Sequence, residues 1–583
     1  MKQFFKILFA CFFALVLFVV VAVLSLTGLV AGLSAGSEKK VIEDHSVLVI
    51  DLNEQIEEQG KDNTLSALSG NDERVCGLNE MIRSLKHAAT DDQVDGVYIR
   101  TGVCNSGWAS LKEMREALSE FRKSGKFVMA YGELTDQKSY YVASAADQVY
   151  LNPAGMFEFK GLAINGTFFK GALDKLDIQT EAFHCGKFKG AYEPFKLEKF
   201  SEPNRYQLGV LLQDMYGEFL SAVAKKTGTD TAQLAMMAEQ GAVRFPEDAL
   251  KNHFIDGVLY SDSMENKVKS KLKLGRKDKI PFVTVADYAS TIEENVRVKE
   301  KVAVLYAAGE IHDGDGHDGI YSRTMTRQIR KIAADDQIKS VVLRVNSPGG
   351  SALASEVIWH ELMELKKRKP LVISMGNYAA SGGYYISCAG DSVFADENTL
   401  TGSIGVVGVM FNIEQMMKNK LGVSFDAVKT GTYADFPSVT RTMSEAERAW
   451  IQSYLDSTYI LFKKRVADAR KLSMEEVEDL AQGHVYSGTL AKQLKLIDAF
   501  GNKDRAIASA ASMAKLSKYR VVEYPKPFNQ IEQILASITG DKGDEAIAKK
   551  MFGPDYKIYL ELKKLREKQN QIQAILPFQL EVR

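Results

Sequence analysis

The sequence predicts an α/β protein made of two copies of one mainly parallel strand–helix unit, preceded by a single N-terminal membrane-spanning helix. Three observations carry that reading. AATDDQVDGVYIR at 88–100 returns as IAADDQIKSVVLR at 332–344, placing Asp91, Asp92, Gln93 and Arg100 on Asp335, Asp336, Gln337 and Arg344 at one offset, 335 − 91 = 244. Within each copy, short apolar runs alternate with amphipathic stretches. No charged residue occurs between Lys6 and Glu38.

The uncharged stretch comes first in the chain. ILFACFFALVLFVVVAVLSLTGLV at 7–30 matches the roughly 20 residues a helix needs to cross a bilayer. A cleaved leader would carry only about 7–15 apolar residues. A retained anchor over 1–44 is therefore expected, although Leu33-Ser34-Ala35 is small enough for a cleavage point. Lys2 and Lys6 precede the span, while Glu38, Lys39 and Lys40 follow it. Positive charge favours the cytoplasmic side, so the remaining chain is expected outside the cytoplasm.

The first copy is expected over 45–290 and opens with the strand HSVLVIDL. A helix (GLNEMIRSLKHAA), a strand (VDGVYIR), a second helix and the strand FVMAYG follow. The second copy, over 291–525, runs in parallel: KVAVLYA, SRTMTRQIRKIAA, IKSVVLRV, a helix, LVISMG. Continuous apolar runs mark strands buried on both faces, and strand–helix alternation implies right-handed crossovers in a largely parallel sheet. The same offset carries Tyr140-Tyr141 onto Tyr384-Tyr385, Ala145 onto Ala389 and Asp147 onto Asp391. One inserted residue later, Leu176 and Gly186 match Leu421 and Gly431. The charged GRKDK and EENVRVKEK suit a connector, and IEQILASI with YLELKKLREKQNQIQAIL predicts a helical extension over 526–583.

The copies part company where chemistry would occur. The second has tandem glycines in VNSPGGS (345–351), whereas its counterpart around VCNS (103–106) lacks them. Ser381 stands where the first copy has Gln137, and Gly382-Gly383 where it has Lys138-Ser139. Small residues crowd Ser381 in NYAASGGYYISCAG, a setting that lets a peptide approach a nucleophile, yet no histidine lies between His360 and His484. The first copy holds a candidate base: GKFKGAYEPF (186–195) aligns with GTYADFPS (431–438), which sets Lys189 on Ala434. Shielding by Phe188, Ala191 and Tyr192 would disfavour the ammonium. Holding a lysine neutral near pH 7 costs roughly 4–5 kcal/mol, and a neutral amine can deprotonate a serine. The alternatives are plain: AASGG as a tightly packed helix start, and Lys189 as a surface lysine like Lys187 and Lys196.

Together the tandem copies, SPGGS, AASGGYY, LTGSIG and FKGAYEPF resemble the signal peptide peptidase A (protease IV) family in its long two-repeat form, up to about residue 520. SPGG alone is shared with the wider Clp-protease and crotonase superfamily. The resemblance implies tandem Clp/crotonase-like repeats and a membrane-anchored serine endopeptidase that degrades cleaved signal peptides in the cell envelope. It implies Ser381 as nucleophile, Lys189 as general base and Ser403 as a group that helps hold the amine. The oxyanion donors would be the Gly382 amide and one from Gly349 or Gly350. It also implies no cofactor, a bowl-shaped homotetramer and apolar peptide substrates, added as a strand beside the SPGGS loop. Where Clp-type relatives keep a histidine, TGSIG offers Ser403. Gly190 departs from the family, which commonly has serine there.

Other classes find less support. A net charge of −1 gives nucleic acid no electrostatic purchase. The five cysteines show no paired spacing, against zinc or a disulfide framework, and Cys185 and Cys388 read as small buried side chains. DGDGHDG at 313–319 lacks the EF-hand ligand order and is expected to be an acidic loop. A crotonase-like acyl-CoA enzyme would leave Lys189 without a role and lie away from cytoplasmic coenzyme A. A silent membrane scaffold is the remaining alternative.

Overall fold

The computed structural model describes residues 42–60, 76–292, 297–525 and 573–575, with scattered positions among the first 21. In the first copy, six strands form one sheet in the order Gly257–Val258, Gln148–Phe157, Phe127–Thr135, Val94–Arg100, Ser46–Asp51, Phe282–Thr284. Every pairing in it is parallel. In the second copy, Ala499–Phe500, Ser392–Ala395, Leu371–Ala380, Ile338–Ser347, Lys301–Ala308 and Arg520–Tyr524 repeat that order, again all parallel. Val94, Phe127 and Gln148 open strands whose counterparts open at Ile338, Leu371 and Ser392, the offset found in the sequence. Duplication is thus a property of the topology as well as of the chain.

The apolar runs form central strands because helices cover both faces. Val302–Leu305 and Val341–Leu343 are at most 1 % exposed, and each such side chain contributes about 1.5–3 kcal/mol by leaving water. Long helices of 26 residues, Glu202–Thr227 and Glu445–Arg470, occupy equivalent places and start on Ser201 and Ser444, whose hydroxyls accept from the third helical amide. Such caps satisfy donors that the helix itself cannot.

A third sheet, mixed in direction, was not foreseen. Its order is Ile320–Tyr321, Ile311–His312, Gly349–Ser351, Gln573–Ile575, Val406–Asn412, Gln179–Cys185. The Gln179–Cys185 strand of the first copy runs antiparallel to Val406–Asn412 of the second, with Cys185 opposite Val406 and Gln179 opposite Asn412. A strand of one copy therefore completes the other.

The copies also share a buried charge cluster. Arg344 Nε donates to Glu58 Oε2 at 2.9 Å and Nη2 to Glu113 Oε1 at 2.7 Å, all three side chains being nearly inaccessible. Its repeat partner Arg100 is half-exposed and only 3.8 Å from Asp51.

The expected anchor falls almost entirely on residues outside the described set, and among the described residues no helix is long and apolar enough to cross a membrane. The C-terminal stretch was expected to be helical, yet its described part, Gln573–Ile575, is a strand. Its backbone finds ladder partners on both sides, Gly349–Ser351 and Val407, which outweigh the helical propensity of a polar run.

Candidate active site

Ser381 joins the strand Leu371–Ala380 to the helix Gly382–Ser387. Its backbone sits at φ 55°, ψ −115°, a conformation that non-glycine residues seldom adopt and that recurs at functional sites. The strain is held by neighbours: Ser381 N donates to Gly402 O at 2.8 Å, and Tyr385 N to Ser381 O at 2.8 Å. A strand–turn–helix of this kind lifts a hydroxyl out of the sheet's end. The following glycines are sterically required. A methyl on Gly382 would lie 2.6 Å from Ser355 Oγ, and one on Gly383 2.7 Å from Ser347 O.

Lys189 arrives from the other copy. The Gln179–Cys185 strand ends beside Val406, and four residues later the chain turns Lys189 back towards LTGSIG. Its Nζ lies 2.6 Å from Ser381 Oγ and 3.0 Å from both the carbonyl oxygen and Oγ of Ser403. Lys189, Ser381 and Ser403 are all 0 % exposed. Burial pushes the Lys189 ammonium well below the usual lysine range, with no other cause contributing. A neutral amine has two N–H donors and one lone pair. Three oxygen neighbours match that inventory: Ser403 accepts twice, and the lone pair is left for the Ser381 hydroxyl.

The lysine turn is clamped by residues that carried no signal in the sequence. Gln207 Nε2 donates to Phe188 O at 3.0 Å, while Gln207 Oε1 accepts from Val485 N at 3.0 Å. One buried side chain thereby ties the lysine turn of the first copy to the 482–485 loop of the second. Phe188 N donates to Gln482 O at 2.9 Å. Gly483, at φ 74°, passes so close that a methyl there would lie 2.6 Å from Lys189 Cβ. Gly190 is explained in the same way, since a methyl would meet Asn204 Nδ2 at 2.3 Å. Asn204 is itself fixed by Glu193 and Gln207.

His484 does lie near the lysine turn. Its ring centroid is 4.4 Å from that of Phe188 and 4.3 Å from that of Tyr486. Burial and the charge of Lys187 push its pKa down to about 4, so it is a neutral wall at physiological pH. Its carbonyl accepts from Ser403 N at 2.6 Å, helping to hold Ser403 at φ 50°.

Beside Ser381 the SPGG turn brings Gly349 (φ 104°) and Gly350 (φ 153°) against Gly382. A methyl on Gly349 would stand 2.8 Å from Gly382 N, and one on Gly382 would stand 3.2 Å from Gly350 N. The equivalent place in the first copy is sealed. Gln137 Oε1 accepts from Lys160 N and Gly161 N at 3.0 Å each, and Nε2 donates to Gly161 O at 2.7 Å. Cys185 and Cys388 are buried thiols pushed up to about 12. In DGDGHDG, Asp313 accepts from Ser351 Oγ at 2.7 Å and Asp315 pairs with Arg327 at 2.6 Å. Among the described residues no group of three metal-binding side chains converges.

A duplicated α/β frame with a buried, strained serine at the end of a parallel sheet defines a serine protease of the Clp-like class. The chain belongs to peptidase family S49, which it matches over residues 120–275 and 363–517, with a Clp protease match over 293–400. It is 34 % identical over 472 residues to Protease 4 of Salmonella typhi, covering 79 % of this chain and 76 % of the relative. Identity is 30 % over 505 residues to the chloroplastic serine protease SPPA of Arabidopsis thaliana, covering 85 % and 73 %. A putative signal peptide peptidase SppA of Enterococcus faecium is 37 % identical over 241 residues, covering 40 % and 69 %.

Proposed function

We propose that Ser381 and Lys189 form a Ser/Lys dyad that cleaves apolar peptides, the remnants of signal peptides above all. The observation that carries this reading is the 2.6 Å approach of Lys189 Nζ to Ser381 Oγ in a fully buried setting. As Ser381 Oγ bonds to the scissile carbonyl carbon, its proton passes to Lys189 Nζ. The new ammonium is met by the Ser403 carbonyl and hydroxyl. The amides of Gly382 and Gly350 face the developing oxyanion, and each such donor supplies about 2.7–4 kcal/mol. Gly349 N already donates to Ser347 Oγ at 3.2 Å, which favours Gly350 over Gly349 as the second donor. Collapse breaks the C–N bond, the lysine proton leaves on the amine, and water repeats the sequence on the acyl-enzyme.

The N-terminal span anchors this body, as a homotetramer, at the extracytoplasmic face of the cytoplasmic membrane. The first repeat (45–290) supplies the base and the second (291–525) the nucleophile, and substrate is bound as a strand beside Gly349–Ser351. The Enterococcus faecium relative, a putative signal peptide peptidase, supports the substrate class. Ser381→Ala and Lys189→Ala are each expected to lower kcat/KM on an apolar test peptide by at least 10³-fold while the circular dichroism spectrum persists. Turnover retained in either variant sinks the dyad.

A further inference from the structure

The turn that carries Lys189 is closed by a buried chain of side chains whose direction is set by backbone at both ends. Val485 N donates to Gln207 Oε1 at 3.0 Å, so the Gln207 amide presents its nitrogen to the lysine turn. That nitrogen donates to Phe188 O at 3.0 Å and to Asn204 Oδ1 at 2.6 Å. Asn204 therefore passes its own N–H onward, from Nδ2 to Glu193 Oε2 at 3.0 Å. From the far side Ser201 N donates to the same carboxylate oxygen at 3.1 Å, and Ser201 Oγ donates to Oε1. Gln207, Asn204 and Glu193 are all buried. A primary amide that accepts on its oxygen hands a donor to the next group. With an N–H entering from each end, the chain must finish where two donors meet one acceptor, and Glu193 Oε2 is that meeting point. The flanks of the lysine, Phe188 before it and Glu193 after it, are thereby tied to one another.

The second copy is built differently at this place. Counted from the capping serines Ser201 and Ser444, Glu447 and Trp450 stand where the first copy has Asn204 and Gln207. Glu447 is turned to Arg441 and Ser444, and Trp450 is exposed. The turn of that copy carries Ala434 where the first has Lys189. The chain of amides thus accompanies the amine. We propose that Asn204 and Glu193 are positioning residues, which hold the turn so that Lys189 Nζ stays 2.6 Å from Ser381 Oγ. They act through the backbone on either side of the lysine. The proposal rests on the dyad reading above.

The test uses the full chain with three substitutions, read by kcat and KM on an apolar fluorogenic peptide across pH and by the unfolding temperature. Glu193→Leu removes the meeting acceptor with little change in volume, and Asn204→Asp keeps its shape but has no N–H to give. Each is expected to lower kcat about 10–100-fold through a misplaced amine, with KM little changed. The acid limb of the profile should move to higher pH, because an opened turn admits water and relieves the burial that depresses the ammonium. Glu193→Gln keeps a carbonyl oxygen for both donors and should stay within a few-fold of wild type. The proposal is overturned if Glu193→Leu or Asn204→Asp lowers only the unfolding temperature, with kcat and the acid limb unmoved, or if Glu193→Gln is as slow as Glu193→Leu. Should Glu193→Leu not fold, Asn204→Asp and Glu193→Gln decide in the same way. The dyad stands in each of these cases. Turnover retained by Ser381→Ala or Lys189→Ala sinks the dyad and this proposal together.

Discussion

Among the described residues no carboxylate pairs with Lys189, and that has measurable consequences. Its ammonium is depressed by burial alone. Between that depressed value and the ordinary lysine range the unfolded chain holds a proton that the folded chain lacks. Folding stability therefore rises with pH across this window, by up to about 1.4 kcal/mol per pH unit. Lys189→Met is expected to abolish turnover, flatten that slope and raise the unfolding temperature at neutral pH by a few degrees, as scanning calorimetry would show. Catalysis follows the same sign. Only the neutral amine accepts the serine proton, so kcat/KM should fall tenfold per pH unit below the depressed value and level off above it. Gly349→Ala tests the proposed oxyanion donors: its methyl would crowd Gly382 N at 2.8 Å from a φ that alanine tolerates poorly. A loss of about 10²–10³ in kcat is expected, with Ser381 still open to covalent labelling.

Among the elements, the strand Gln179–Cys185 and the helix Glu202–Thr227 decide where the amine goes. The strand delivers the lysine turn to the second copy, and Gln207 on the helix fixes it. Gln207→Leu leaves Phe188 O and Val485 N without their partner, at about 1–3 kcal/mol. The expected result is a 10–100-fold drop in kcat/KM with KM little changed. The acid limb of the pH profile should also shift, which general loosening of the fold would not produce. The central strands were legible because each is a run of apolar residues bracketed by polar helices, and the duplication because its offset survives. Lys189 and Ser381 were legible only through motif context, since residue type alone leaves a surface lysine and a packing serine open. The pairing of Gln179–Cys185 with Val406–Asn412 left no trace, because antiparallel ladders are made by backbone groups common to all sequences. Gln207, Gly483 and His484 were hidden for a related reason: their roles come from neighbours far along the chain. Gln573–Ile575 lies in a charged, helix-like run, and three residues are too few for a period of two to appear.

Across the whole molecule, the two groups of the proposed dyad come from one chain, one from each repeat. A mixture of full-length Ser381→Ala and Lys189→Ala proteins is therefore expected to stay inactive, since no exchange of subunits brings an intact serine to an intact lysine. Recovery of activity on mixing would show that the pair forms between chains. The same architecture explains the unequal fates of the repeats. Gln137 fills with its amide the place where the second copy has Ser381, and Arg344 is buried against Glu58 and Glu113 while its twin Arg100 stays near solvent.

The cross-copy ladder between Gln179–Cys185 and Val406–Asn412 also sets a clock on synthesis. A ribosome delivers the amine more than two hundred positions before the strand that receives it. A nascent chain halted before residue 381 carries the amine without the hydroxyl that the proposed dyad needs. In the proposed dyad, competence waits, by connectivity alone, until the strand Val406–Asn412 has emerged and paired.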